Sequence, residues 1–486
     1  MAASLANLSL CITWHRLFSP RQMLMPVWSS TDLLALGINL LLLAALFFAV
    51  IRVSRKFPIN GLYVHSLLVL YPLFLMADLL RQTVPAVAHV LPSTLSVVIG
   101  GLAMLLLAAW ALLKWPRTGV ASVEFVLAFM VFLLPLFFVR AVLVVLHTAP
   151  PPQIAGFMPY AKSSPRIVWI IFDEMDPRFA FDHRPTGLVL PEFDRLKSQA
   201  SYMNDMWQAG FDTDVAMPSL IFGEVVNEIS FASRRGFLGT VDGAVGRDDL
   251  RRLPDVFGDA RQAGFNTGIV GWFLPYCRIF AAELSQCYTE SMYGNSQNTL
   301  SARMQSQIYG LTPWQSHLQH VQRYSALLEQ AKAMASNPRL GLVLLHLAVP
   351  HGPGIYDSRR AQLTKFGIDD RNWYAENLAL TDRTLGQIRG AMEQAGIWDS
   401  TVVVISSDHK LRSVGPPHSE GRVPYIVKLA GQSHAWICDL PLNARITRSL
   451  IGAILQGKLA TTSDLQVWLS LNQSPSKIAV SNANLN

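Results

Sequence analysis

The sequence predicts an α/β protein: a transmembrane helical bundle followed by a mostly parallel sheet with helices on both faces. Three observations carry this. The first 150 residues are poor in charge and contain four long apolar stretches. From about Pro165, strand and helix signals alternate to near the end of the chain, the pattern of a parallel sheet covered by helices. Finally, Ile167–Phe172 is an unbroken run of six apolar residues that stops at Asp173 and Glu174. A short, bare run rich in β-branched residues and without helical periodicity reads as a strand buried on both faces.

The membrane half comes first. Of 486 residues, 51% are hydrophobic and 15% charged, well below the roughly 25% charged share of a soluble domain. Leu5–Trp14 is too short to span and precedes no cleavage site, so residues 1–31 read as an interfacial or poorly ordered start. Leu33–Ile51, Leu62–Leu80, Ser96–Leu113 and roughly Phe125–Leu146 each approach the ~20 residues that cross a bilayer core. Arg52, Arg55 and Lys56 mark the first loop, Lys114 and Arg117 the third, and only Arg81 the second. By the positive-inside rule the first and third loops are cytoplasmic, which puts everything after residue 147 outside. Arg16 and Arg21 run against this orientation. The expected units are a membrane domain at 1–147, a Pro-rich linker at 148–164, a second domain at 165–472 and a polar, disordered tail at 473–486.

In the second domain the strand candidates are Ile167–Phe172, Thr267–Val270, Leu342–Leu347, Thr401–Ile405 and Val423–Leu429. Helical patterns cover Glu192–Gln199, Asp255–Ala263, Trp314–Ala335, Trp373–Ala395 and Asn443–Gln456. The net charge of +7 is scattered, with no Lys/Arg block, so nucleic acid is not an expected partner and the excess suits anionic lipid or an anionic substrate. Cys277 and Cys287 stand ten positions apart in one loop-like segment. They form a local disulfide if this domain is extracytoplasmic, or two unrelated thiols if it is not.

Ligands of open α/β sheets bind at the carboxyl ends of the strands. Asp173 and Glu174 stand at one such end, and two acids there are costly unless a cation holds them. Asp408-His409 follows the run Val402–Ile405 and marks a second end. Carboxylates with imidazole suit Zn²⁺ or Mn²⁺ better than Ca²⁺. His351, in VPHGP, and His418, in PPHSEG, sit in Pro/Gly-rich loops, where a histidine is either a surface residue or part of a site. Thr213 and Ser219 flank Pro218. A hydroxyl at a helix start is an N-cap or, with a metal or base beside it, a nucleophile.

The motifs IVWIIFDEMD, TDVAMPSL, VPHGP, NLALTDRTLGQI before WDSTVVVISSDHK, and HSEGRVPYIVKL, in this order and spacing, resemble the alkaline phosphatase/sulfatase superfamily. The nearest branch is similar to the membrane-anchored lipoteichoic acid synthases, phosphoethanolamine transferases and phosphoglycerol transferases. The resemblance covers about residues 165–460 and implies an alkaline-phosphatase-like sheet. It implies one divalent metal, Zn²⁺ or Mn²⁺, held by Asp173, Thr213, Asp408 and His409, with Glu174 competing for the place of Asp173. It implies that Thr213 is the nucleophile, five residues before Pro218, and that His351 and His418 contact the phosphate or leaving group. Ala216 and Leu220 stand where a formylglycine sulfatase needs Cys or Ser and then Arg, which argues against that route. Lys410 replaces the Gly usual after Asp-His.

The resemblance implies a transferase of the bacterial cell envelope, in the inner (plasma) membrane with its catalytic domain outside. It would move a phosphoethanolamine or phosphoglycerol head group from a phospholipid donor, through a phospho-threonine, to a glycan or lipid acceptor. A hydrolase of phosphate esters and a non-catalytic assembly protein of the same fold are the other readings.

Overall fold

In the computed structural model, residues 1–18, 28–54, 56, 131–147, 152–159, 161–162, 164–232, 236–241, 248–291, 299–308, 311, 315–364, 372–412 and 421–473 are described. The chain divides into two units. One comprises Met1–Pro150 with Tyr293–Ser316, the other Pro151–Met292 with His317–Asn486.

In the first unit, Ser30–Ser54 is the one described helix long and apolar enough to cross a membrane. Leu62–Leu80, Ser96–Leu113 and the start of the fourth stretch lie outside the described residues; Leu133–His147 is a 15-residue apolar helix. The N-terminal residues form two short helices, Ala2–Ser9 and Cys11–Phe18. Their Leu5, Leu10, Trp14 and Leu17 are buried in one cluster with Leu36, Leu40 and Phe47 of the long helix. A segment from far along the chain, helix Leu300–Ile308, joins this unit through polar contacts. Arg303 pairs with Asp32 at 3.6 Å, both side chains buried. The Gln307 side chain donates to the Asp32 carbonyl at 2.8 Å and accepts from Asn39 at 3.1 Å. Asp32 and Asn39, buried on the apolar helix, thereby find partners, as a low-dielectric setting requires.

The second unit is built on an eight-stranded sheet. Its strands are β1 (Arg166–Phe172), β2 (Ser201–Met203), β3 (Thr267–Phe273), β4 (Gln286–Ser291), β5 (Leu342–Leu347), β6 (Thr401–Ser406), β7 (Tyr425–Lys428) and β8 (Trp436–Cys438). The spatial order is β8-β2-β7-β6-β1-β5-β3-β4. From β6 to β4 all neighbours are parallel, and β7 alone runs against them. The bare run of β1 is explained by its central place, because all seven residues are buried. Val168, Ile170 and Phe172 point into one core with Val343, Leu345, Val403 and Ile405, closed by Leu327, Ala331, Leu378 and Ile388 of helices Gln315–Ala335 and Trp373–Gln394. Burying each such aliphatic or aromatic side chain contributes about 1.5–3 kcal/mol.

Helix Thr213–Phe222 starts where the chain leaves Gly210. A Cβ at Gly210 would lie 2.7 Å from the Ala216 backbone nitrogen and 2.9 Å from its Cα. Only glycine lets the incoming chain run this close to the first turn that carries Thr213. Gly210→Ala is expected to cost about 1–3 kcal/mol through backbone displacement, read as a lower thermal midpoint of the purified protein. An unchanged midpoint would show that this turn yields freely.

Candidate functional site

The strand order places the carboxyl ends of β6, β1, β5 and β3 side by side, and the candidate residues leave from those ends. Asp173 follows β1, and its backbone N–H donates to the Leu347 carbonyl at 3.1 Å. Glu174 turns the chain with φ 62°, a left-handed conformation rare for a non-glycine residue. The turn is fixed from β6: the Glu174 N–H donates to Asp408 Oδ1 at 3.2 Å, and the Met175 N–H to Ser407 Oγ at 2.9 Å. Ser407 Oγ in turn donates to the Phe172 carbonyl at 2.8 Å. The Glu174 carboxylate is taken by Arg412 at 2.8 Å, and Arg412 also holds Asp212 at 2.5 Å.

Asp173, Asp408 and His409 converge, fully buried, with one donor atom of each within 4.8 Å of the others. The Thr213 hydroxyl joins them from its helix, donating to Asp408 Oδ2 at 2.7 Å and lying 3.3 Å from His409 Nε2. His409 Nε2 is 3.4 Å from Asp408 and 3.9 Å from Asp173. His409 Nδ1 lies 2.9 Å from the Lys410 carbonyl. A carbonyl only accepts, so Nδ1 carries the hydrogen and Nε2 turns its lone pair to the cluster, the tautomer of a metal ligand.

The two carboxylates differ. Burial pushes Asp408 up, but His409, His346 and the Thr213 and His409 donors outweigh it and leave it below the ordinary range. Asp173 is held well above, first by burial, then by the charges of Asp408 and Glu174. Among the described residues neither Asp173 oxygen has a hydrogen-bond partner within ordinary geometry. His346 Nε2 stands 3.8 Å away, and the Trp272 side chain also lies toward the carboxylate and favours its ionised form. Two imidazole nitrogens, His346 Nε2 at 3.8 Å and His409 Nε2 at 3.9 Å, thus face the carboxylate just beyond hydrogen-bond reach. Two donors roughly 2.1 Å from a shared Zn²⁺ lie about 3–4 Å from each other. His409 Nε2 lies in that range from Thr213, Asp408 and Asp173, at 3.3, 3.4 and 3.9 Å, and the donor set of Asp173, Asp408, His409 and Thr213 fits one divalent metal.

His351 sits in the loop after β5. Its Nδ1 donates to the Gly352 carbonyl at 2.7 Å, so Nε2 carries the lone pair. Burial lowers its pKa against the opposing charge of Glu174. Asn377 shapes the loop: its amide donates to the carbonyls of Pro350, His351 and Pro353 and accepts from the Ile355 N–H. His418 lies outside the described residues. Residues not singled out from the sequence are His346, Trp272, Tyr276, Arg412 and Asn377. His346 is hidden within an apolar strand; its one signal is its place five residues before His351 in LHLAVPHGP.

A strand-end cluster of this composition on this sheet is a candidate metal site of an α/β enzyme. The chain belongs to the sulfatase family, whose family model matches residues 165–449, and it is an enzyme acting on sulfate or phosphate esters. Among solved structures, Ps i-CgsB in complex with k-i-k-neocarrahexaose is similar at 17% identity, covering 64% of this chain and 77% of that one, with a TM-score of 0.46. Phosphonate monoester hydrolase SpPMH from Silicibacter pomeroyi gives 14%, 64%, 78% and 0.43. Lipoteichoic acid synthase LtaP from Listeria monocytogenes gives 15%, 61%, 75% and 0.39. A comparison with curated proteins finds no match.

Because the pKa of Asp173 is raised in the metal-free fold, the folded state there holds a proton that the unfolded chain has lost. Its stabilising contribution is complete below the ordinary carboxylate range and is lost as pH rises toward the folded value. A divalent ion must displace that proton. Calorimetric titration with Zn²⁺ or Mn²⁺ near neutral pH, in two buffers of different ionisation enthalpy, is expected to show proton release and an affinity that rises with pH. A pH-independent affinity would mean that Asp173 is already ionised.

Proposed function

We propose that this enzyme is a phospho-group transferase of the cell envelope that moves a phospholipid head group through a phospho-threonine to a glycan or lipid hydroxyl. The observation that carries the reading is the placement of Thr213: a buried hydroxyl at the first turn of a helix, 2.7 Å from Asp408 and 3.3 Å from His409. Asp173, Asp408, His409 and Thr213 hold the metal, Zn²⁺ or Mn²⁺, which lowers the pKa of the threonine hydroxyl and polarises a phosphoryl oxygen when bound.

In the first half-reaction Thr213 passes its proton to Asp408, Oγ1 bonds to phosphorus, and the bond to the diacylglycerol oxygen breaks. Protonated His351 gives that oxygen its proton. In the second, neutral His351 Nε2 takes the proton of the acceptor hydroxyl, the acceptor oxygen bonds to phosphorus, and Thr213 recovers its proton from Asp408. Proton and bond counts close over the cycle. The roles of acid and base alternate on one imidazole, as reversibility requires of two chemically alike steps. His418 is the alternative acid for the same oxygen. The bond between Cys277 and Cys287 favours an oxidising compartment outside the cytoplasm, and helix Ser30–Ser54 supports a membrane site where a lipid donor is presented. The four-span topology is part of the proposal.

Incubating the full chain in detergent with divalent metal and mixed bacterial phospholipids is expected to add a mass increment absent from Thr213→Ala, its size naming the group. No increment, with slow release of phosphate or sulfate from simple esters, would replace this reading by a hydrolase with water as acceptor.

His351 must be protonated to expel the first alcohol and neutral to accept the second proton, and its pKa is lowered. The rate of adduct formation is therefore expected to fall as pH rises through that lowered value, while transfer to the acceptor rises. Asn377→Leu, which removes the donors to the three loop carbonyls, should slow both steps by about 10-fold or more, within the 10²–10⁴-fold contributed by a positioned acid or base. Rapid-quench measurement of each half-reaction checks both expectations.

A further inference from the structure

The support behind Asp173 comes from two residues the catalytic scheme leaves unused. His346 leaves β5 fully buried, with Nδ1 2.8 Å from the Tyr276 hydroxyl and Nε2 3.8 Å from Asp173 Oδ2. Among the described residues the ion-pair partner facing Nε2 is Asp173, and once ionised, as a metal ligand must be, that carboxylate only accepts. Nε2 therefore carries the imidazole hydrogen, and Nδ1 accepts from Tyr276.

Tyr276 is itself seated by two features. A Cβ at Gly271 of β3 would lie 2.5 Å from the Tyr276 ring, so glycine there leaves the space the ring fills. The next residue, Cys277, is bonded to Cys287 on the neighbouring strand β4. The line disulfide, tyrosine, histidine, carboxylate thus ends on Asp173, whose carboxylate oxygens have no hydrogen-bond partner of ordinary geometry among the described residues.

We propose that Tyr276 and His346 are positioning residues for the metal: Tyr276 fixes the His346 tautomer, and His346 Nε2–H orients the outer oxygen of Asp173 when the inner one binds the ion. This rests on the metal-site reading above. His346 is assigned an outer rather than a direct place because the converging donor group is Asp173, Asp408 and His409 alone among the described residues. Outer partners of this kind change metal affinity by about 10–100-fold on removal.

The test is metal affinity of the full chain in detergent, by Zn²⁺ or Mn²⁺ titration against a competing chelator, together with the visible spectrum of the Co²⁺-loaded protein. Tyr276→Phe removes only the hydroxyl. It is expected to weaken affinity about 10–100-fold and shift the Co²⁺ bands, with the metal-free thermal midpoint near that of the wild type. His346→Gln, which keeps a donor, should retain more affinity than His346→Ala. Wild-type affinity and an unchanged spectrum in Tyr276→Phe would overturn the inference, as would a lower midpoint with unchanged affinity. Asp408→Asn separates the two claims. If it loses metal while Tyr276→Phe binds normally, the metal site stands and the positioning role falls. A wild-type chain that binds no metal overturns both.

Discussion

Two carboxylates, Asp173 and Asp408, are buried beside each other at the edge of the sheet, and the arrangement around them follows from their repulsion. Removing an ion of this size from water costs several kcal/mol even after relaxation, and a second like charge adds to it. The structure resolves this unequally. Asp408 receives the Thr213 hydroxyl and the backbone N–H groups of Glu174 and His409, and it stays ionised. Asp173 receives none, and its charge is disfavoured. An ionised, fully bonded carboxylate next to a bare one is an unstable pairing for a protein alone. It becomes a stable one when a divalent cation supplies the missing charge.

The fold makes this unequal pair possible. Donors must reach Asp408 from β1, from β6 and from the Thr213 helix within a few tenths of an ångström. Parallel neighbours deliver that, because β1 pairs with β6 on one side and β5 on the other in continuous register, and the strand ends cannot slide. The left-handed turn at Glu174 completes the arrangement. It directs the Glu174 backbone N–H to Asp408 while its side chain faces Arg412, so that of two adjacent acids only one enters the cluster.

Much of this was legible in the sequence for identifiable reasons. β1, β5 and β6 announce themselves because burial on both faces demands apolar runs, unbroken in β1 and interrupted only by His346 in β5, and each leads into the residues that matter. The choice between Asp173 and Glu174 was not legible, because it depends on one backbone dihedral and on an arginine 238 positions away. Strand β4, QCYTES, lies at the edge of the sheet, where polar residues are tolerated, so no apolar pattern marks it. His346 was masked because a single histidine in LVLLHL reads as a core residue. The helix Leu300–Ile308 carries no sign of its attachment to the N-terminal unit, since that depends on polar partners supplied by Asp32 and Asn39, 275 and 268 positions from Gln307.

The choice between a hydroxyl acceptor and water turns on what can reach the phospho-threonine. Thr213 is almost wholly buried, and the groups around it are committed to one another: Asp408 to backbone donors, His409 to the Lys410 carbonyl, Glu174 to Arg412. Nearby, His351 is partly exposed and the Arg412 side chain is about half exposed. A small water molecule gains little from either. A hydroxyl carried on a glycan or lipid brings further contacts that hold it against His351 Nε2 long enough for its proton to be taken, and remote contacts of this kind lower the barrier at the reacting centre. In the proposed cycle, an acceptor held by such contacts competes with water through its residence beside His351, which is the physical distinction between transfer and hydrolysis at this site.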